Sequence, residues 1–348
     1  MSNSQSHDQR NVTLKRTVTR RTLGKHGPTV SSIGLGAMGM SDLYSKADHA
    51  ESIATIRAAL DAGINLIDSG DFYGSGHSEL LIREALTGRS RENVVLSVKF
   101  GELRDPVGGW GGTDNRPAAL KNVLAQSLQR LGTDYIDIYR PARLDPRVPI
   151  EDTVGAMAEM VNAGYVRYIG LSEVSAQTIR RAHAIHPIAD LQIEYSLISL
   201  GIEKDILPTL RELGIGLTAY GVLSRGLISG HWSKAREGDG DFRSINPRFQ
   251  GENLDKNLQL VEELRKQARL KGVTVAQMAI AWVLAKGNDI VPLVGARTRD
   301  RLNESLGALN VELSPSDVEQ IERSVPAGKA AGTRYNAYVM GQLDSEKA

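Results

Sequence analysis

Apolar and polar positions alternate along this chain in a regular order of short apolar runs and amphipathic stretches. Residues 21–33 hold two short alternating runs around Gly27-Pro28, the signal of a β-hairpin that could plug one end of a barrel. Residues 47–62 carry apolar side chains at helical spacing (Ile53, Ile56, Leu60) and stop at Gly63. The same test predicts helices over 78–87, 117–131, 150–163, 175–186, 203–213, 252–270, 274–286, 300–308 and 314–323. Between them lie apolar runs too short for helices, near 33–37, 65–68, 94–98, 135–139, 166–170, 191–194, 216–219 and 290–293. Eight strands separated by helices predict a (β/α)₈ TIM barrel with parallel strands and right-handed crossovers. Two long connections, 101–115 with Trp110 and 224–250 with Trp232, Phe242 and Phe249, would extend its C-terminal face.

Composition narrows this picture. A chain of 348 residues with 41% hydrophobic residues can bury a large core, and a closed barrel with insertions can fill that length alone. We expect a disordered tail over 1–20, whose Lys15, Arg16, Arg20 and Arg21 are solvated. One barrel domain would follow over 21–325, then a segment over 326–348 near the substrate pocket. A net charge of +1 gives no field favouring nucleic acid or an anionic membrane. No apolar stretch is long enough for a signal peptide or a membrane span. Cysteine is absent, which removes disulfides, thiol nucleophiles and thiolate metal sites, and points to the cytoplasm. The seven histidines are scattered, and His183 and His186 lack a carboxylate partner in any metal-binding spacing. Oligomeric state is open at this level.

Candidate chemistry gathers between residues 65 and 100. Asp68 ends one strand, Tyr73 lies five residues on in a glycine-rich loop, and Lys99 ends the next strand. In a parallel barrel these ends share one face, where catalytic groups collect. A tyrosine has a pKa of about 10. A nearby ammonium would lower it, with a carboxylate fixing the ammonium, so Tyr73 could protonate a carbonyl oxygen. Taken singly, the three are a turn-capping Asp, a half-buried Tyr and a surface Lys. Gly34-Leu-Gly-Ala-Met-Gly39 matches a dinucleotide fingerprint but lacks the helix that must open directly at its glycines, so we read it as a barrel strand.

Several separated motifs give the chain a strong resemblance to the aldo-keto reductase superfamily, over roughly residues 21–325. They are Asp68-Ser-Gly-Asp-Phe-Tyr73-Gly, Ser97-Val-Lys99, Gly170-Leu-Ser-Glu-Val-Ser175, Gln192-Ile-Glu-Tyr-Ser196, Ala219-Tyr-Gly-Val-Leu-Ser-Arg-Gly226 and Val291-Pro-Leu-Val-Gly-Ala-Arg297. The resemblance implies reversible hydride transfer between NADPH and a small-molecule aldehyde or ketone. Tyr73 would be the proton donor, tuned by Lys99 and Asp68. Ser172 and Gln192 would hold the nicotinamide carboxamide, and Tyr220 would stack on the ring. Gly221, Leu223 and Arg225 would line the pyrophosphate. Arg297, Thr298 and Arg301 would hold the adenosine 2′-phosphate, with Glu304 on the adenine. Two guanidiniums and a hydroxyl beside the last strand also suit a phosphate on chemical grounds, and favour NADPH over NADH.

Three positions depart from the pattern. Where the family has Tyr-x-x-His-Arg-x-Asp-Pro, this chain reads Tyr139-Arg-Pro-Ala-Arg-Leu-Asp-Pro146, which puts Ala142 at the position of a catalytic histidine. The Ala142 side chain cannot donate a hydrogen bond; Arg140 or Arg143 could reach in, although the sequence gives no geometry for either. Glu173 replaces an Asn beside Ser172, adding charge near the carboxamide, and Ser305 replaces an Asn near the adenine. The loss of histidine suits either a bulky ketone or a slow, non-catalytic NADP(H)-binding sensor or regulatory subunit. Reduction of a conjugated C=C bond is disfavoured, because it goes with Glu at that position. A lyase using Lys99 as a Schiff base is disfavoured by the Asp68–Tyr73 pair and the two arginines.

Overall fold

The computed structural model describes residues 18–41, 43–44, 46–232 and 242–347. Strands β1 (Arg20–Thr22) and β2 (Thr29–Ser31) form an antiparallel hairpin. It is followed by β3 (Gly34–Gly36), β4 (Leu66–Gly70), β5 (Val95–Phe100), β6 (Glu102–Arg104), β7 (Trp110–Thr113), β8 (Ile136–Pro141), β9 (Val166–Ser172), β10 (Ile188–Glu194), β11 (Gly216–Tyr220) and β12 (Ile290–Gly295). Eight of these, β3, β4, β5 and β8 through β12, pair in parallel in chain order, and β12 pairs back onto β3 to close a barrel. The helices are α1 (His49–Asp61), α2 (His77–Leu86), α3 (Pro117–Leu131), α4 (Ile150–Asn162), α5 (Ala176–Ile185), α6 (Ile206–Leu213), α7 (Gly251–Leu270), α8 (Val275–Ala285), α9 (Arg299–Leu306), α10 (Pro315–Ser324) and α11 (Ala337–Gln342).

The predicted (β/α)₈ barrel is what forms, and the local reasons are those of the sequence. Helix α3 starts at Pro117, whose fixed φ suits a first turn, and ends at Gly132 in the left-handed region. Helices α8 and α10 begin with capping boxes, Thr274 with Gln277 and Ser314 with Asp317. The strands β4, β5 and β10 are buried along their whole length, as parallel strands covered on both faces must be. Most barrel strands run one or two residues past their apolar runs at the C-terminal end. Those extra residues include Ser69, Lys99, Arg140, Ser172 and Tyr220, whose polar groups hydrophobicity under-reads.

The hairpin closes the end of the barrel opposite the mouth. Its Leu23 and Val30 pack in one buried cluster with Leu66, Val95 and Val291. A Cβ at Gly24 (φ 63°) would come 2.5 Å from the carbonyl oxygen of Gly214, just before β11, so only glycine fits there. Arg21 is not the solvated charge expected of it. Its guanidinium donates to the carbonyl oxygens of Ile290 (2.5 Å), Gly287 (2.9 Å) and Leu284 (3.3 Å), capping the end of α8.

Two further differences lie at the mouth. The connection after β5 contains the β6–β7 hairpin, whose glycines and charges give no apolar alternation to read. The chain beyond α10 folds back over the barrel through α11. The expected tail over 1–20 falls largely outside the described residues, as do 233–241 of the 224–250 connection. Among the described residues no single helix is long and apolar enough to cross a membrane, although the sharply bent α7–α8 pair passes that test together.

Candidate active site

The register of β4 against β5 sets Asp68 opposite Ser97 and Gly70 opposite Lys99. Side chains two residues apart on a strand share a face, so Asp68, Ser97 and Lys99 converge. The Asp68 carboxylate forms an ion pair with the Lys99 ammonium, both side chains 6% exposed. Its other oxygen accepts from Ser97 Oγ and from Gln192 Nε2, each at 2.7 Å. Below this layer Arg140 is fully buried. It donates to Ser97 Oγ at 3.0 Å and pairs with Asp190 at 3.1 Å, while Thr218 donates to Asp190. A Cβ at Gly170 would lie 2.7 Å from Asp190 Oδ1 and 3.2 Å from the Arg140 guanidinium carbon, so the buried pair requires glycine on β9.

Tyr73 sits above this layer. The turn after β4 is held by Tyr73 N donating to Gly70 O at 3.0 Å. The ring is buried against Ala142 and meets Phe72 edge-on, with centroids 4.8 Å apart. Lys99 Nζ lies 5.1 Å from the ring centre. The expected lowering of its pKa is not found. Burial first, and then the Asp68 charge, hold the phenol well above its ordinary value. Burial, together with Arg140 and Arg143, also makes Lys99 less basic than a free lysine, with Asp68 opposing them. Tyr73 therefore stays protonated, the state a proton donor needs.

A carboxylate-held lysine against a buried tyrosine, at the C-terminal face of an eight-stranded barrel, can deliver a proton to a carbonyl oxygen. The sequence matches the model of the aldo/keto reductase family over residues 32–326. The chain belongs to that family. It is 41% identical over 318 residues to the "probable aldo-keto reductase 1" of Glycine max, with 90% of each chain covered. Among solved structures it is similar to the glycerol dehydrogenase AKR11B4 of Gluconobacter oxydans (TM-score 0.79, 29% identity, 88% of this chain and 96% of that one). The aldo-keto reductase AKR11C1 of Bacillus halodurans, in its holo form, gives a TM-score of 0.74 at 25% identity, covering 91% of this chain and 98% of that one. Membership makes this aldo-keto reductase an oxidoreductase acting on carbonyl compounds with a nicotinamide cofactor.

The other half of the mouth is built differently. Ser172 ends β9 and is buried; Gln192 lies on β10 with its amide nitrogen given to Asp68; Tyr220 ends β11. The Tyr220 hydroxyl donates to Glu173 at 2.6 Å and lies 2.9 Å from the Tyr335 hydroxyl. Glu173 does not present free charge, as the sequence reading had it. Its carboxylate accepts from Arg334 Nη1 (2.8 Å) and Nη2 (2.5 Å), Ser345 Oγ (2.7 Å) and Glu194 N (3.1 Å). Burial alone would push this carboxyl up; the Arg334 guanidinium holds it well below the usual range. Arg225, in a left-handed turn beside Gly221 and Leu223, pairs with Glu194 at 3.0 Å and lies 4.2 Å over the Tyr335 ring. Arg248 adds a second cation to Glu194 at 3.4 Å. Arg334, Tyr335, Glu194 and Arg248 were missed by sequence reasoning. Arg334 lies 161 residues from Glu173, and no local spacing signals such a pair.

At the last strand, Arg297 lies beside Gly39, its Cγ 3.4 Å from where a Cβ there would be. Thr298 caps α9 by accepting from Arg301 N. Arg301 donates to Glu304 at 3.0 Å, and Glu304 also accepts from His231 at 2.8 Å. A capped helix N-terminus flanked by Arg297 and Arg301 is a donor set that fits a phosphate. The hydroxyl of Ser305 turns back onto Arg301 O at 3.0 Å. Among the described residues no cluster of His, Asp and Glu could hold a metal.

Proposed function

We propose that the protein is an NADPH-dependent reductase of aldehydes or ketones in which Tyr73 is the proton donor. The observation that carries this reading is the Tyr73 ring held 5.1 Å from Lys99 Nζ, with Lys99 fixed by Asp68. Bound NADPH supplies the hydride. Tyr73 gives its proton to the carbonyl oxygen as charge builds there. Lys99 then stabilises the tyrosinate, and Asp68, itself held by Ser97 and Gln192, keeps Lys99 in place. Ser172 and the remaining amide oxygen of Gln192 would hold the carboxamide, Tyr220 would stack on the ring, and Gly221, Leu223 and Arg225 would line the pyrophosphate. Arg297, Thr298 and Arg301 would select the 2′-phosphate, with Glu304 next to the adenine once His231 or Arg301 releases it. Phe72, Met38, Leu43 and Trp110 would wall the substrate pocket.

The test is consumption of NADPH and of NADH with small aldehydes, quinones and bulky cyclic ketones, with Tyr73→Phe in parallel. Turnover with NADPH that collapses in Tyr73→Phe, while the cofactor still binds, supports the reading. Tight NADPH binding with no turnover on any carbonyl would move the weight to a sensor or regulatory subunit, the reading that Ala142 favours.

A further inference from the structure

The family pattern puts a histidine where this chain has Ala142, and the structure places a different cation over that spot. Strand β8 ends at Pro141, but Ala142 N still donates to Phe100 O at 2.8 Å. The ladder therefore carries Ala142 to the mouth, where it is 1% exposed and packed in one cluster with Tyr73 and Phe72. Its methyl group leaves room that an imidazole would fill. Arg143 is the next residue along the chain. Its main-chain oxygen accepts from Asn115 Nδ2 at 2.7 Å, and its own Nη1 folds back to Ala142 O at 2.7 Å. Both ends of the residue are thus anchored within one residue of the vacant histidine position.

The neighbouring cations are all spoken for. Lys99 has Asp68, Arg140 has Asp190, Arg225 and Arg248 have Glu194, and Arg334 has Glu173. Among the described residues no carboxylate comes within ion-pairing distance of Arg143. A guanidinium has five donors, and the fold uses one of them. Arg140, the other arginine near the gap, does not reach the mouth, being sealed beneath Ser97.

We infer that Arg143 takes the missing histidine's part: a permanently charged donor to the carbonyl oxygen, standing beside Tyr73. This rests on the reading of Tyr73 as the acid. The electrostatics agree with the geometry. Arg143 works against the burial and the Asp68, Tyr44 and Tyr335 oxygens that raise the Tyr73 pKa. Its field also acts on Lys99, Glu102, Glu173 and Tyr220, groups from β5, β6, β11 and the turn after β9. A guanidinium does not titrate in the working range. The enzyme should therefore lack the near-neutral change in rate that a histidine would impose.

The test compares Arg143→Ala, Arg143→Gln and Arg143→Lys with the double variant Ala142→His/Arg143→Ala, and with Tyr73→Phe. Removing the charge should lower kcat roughly 10²-fold, as loss of one oxyanion donor does, with NADPH affinity unchanged by fluorescence titration. The alkaline fall in rate should move to higher pH in Arg143→Gln, because a cation that eases ionisation of Tyr73 is gone. Arg143→Lys should recover part of the rate. The double variant should recover part as well, and gain a new titration near the pKa of imidazole, about 6.5. Two results would overturn the inference. One is Arg143→Gln holding kcat within about threefold of wild type. The other is a slowed enzyme with the alkaline limb unmoved and no recovery in either rescue variant. Should Tyr73→Phe itself keep full activity, the reading of Tyr73 fails, and this inference fails with it for that separate reason.

Discussion

The two halves of the barrel mouth hold comparable buried charge by different means. On the Tyr73 side, Asp68, Lys99, Ser97, Gln192, Arg140 and Asp190 all lie on barrel strands, and strand register brings them together. On the Tyr220 side, the carboxylates of Glu173 and Glu194 come from the barrel, but Arg334, Tyr335 and Ser345 arrive from beyond α10. The first half is set once the barrel closes. The second is complete only when a remote segment docks. Chemistry can be built into a barrel by register alone, whereas the wall around Tyr220 also depends on the segment beyond α10.

The largest expected effect separates the halves by function. Tyr73→Phe should cut carbonyl reduction roughly 10³-fold or more, within the range for loss of a general acid, and leave the thermal midpoint close to wild type. Glu173→Ala should do the reverse in kind. It removes the bidentate partner of the buried Arg334, which keeps Glu346 at 2.8 Å and Glu194 at 3.6 Å, a loss of about 3 kcal/mol, the low end for a broken buried pair, read by denaturant unfolding. Limited proteolysis should then cut the segment after residue 326, which wild type protects. Equal protection in both proteins would show that the segment docks without the ion pair.

A smaller effect gives the halves opposite signs with pH. Asp71, next to the Tyr73 turn, is half-buried near Glu79, and desolvation first, then the Glu79 charge, push its carboxyl from 3.8 up to about 7. A raised pKa in the folded state adds stability that is full at low pH and declines as pH rises from about 4 to about 7. Asp71→Asn should flatten that decline. Glu173 is held below its ordinary 4.5. Its contribution is full above that value and is lost as pH falls below it, so Glu173→Gln should flatten the acid side instead. Chemical denaturation across pH reads both, and a decline through neutrality that persists in Asp71→Asn would remove Asp71 from the account. The smallest effect is a control. Breaking the exposed Lys256–Glu252 pair should leave activity and thermal midpoint unchanged, because such pairs add little.

The same division decides what could be read from the sequence. The eight strands were legible because each is an apolar run between helical stretches, and Asp68, Tyr73 and Lys99 because they sit at the ends of such runs. Ala142 stood out against the family's motif. Which arginine is sealed beneath the site did not, since Arg140 is held there by Ser97 and Asp190 from other strands. Glu173 was visible as a departure, but its partner was not. Arg334 lies in a glycine- and alanine-rich stretch with no periodicity, and contact across 161 residues leaves no mark on local spacing. The β6–β7 hairpin was missed for a related reason. Half-exposed Trp110 and its flanking glycines carry no alternation, and Arg104 stacking on that ring is a tertiary event.

The docked C-terminal segment also has a consequence for the order of events during synthesis. A ribosome delivers Glu173 long before Arg334 and Ser345. Until those residues emerge, the nascent barrel carries a carboxylate with its chief counter-charge missing, and domains begin to fold as they are made. The wall around Tyr220 is therefore finished only after the barrel strands have all emerged, so a nascent chain halted before Arg334 should close its barrel and still leave Glu173 without that guanidinium.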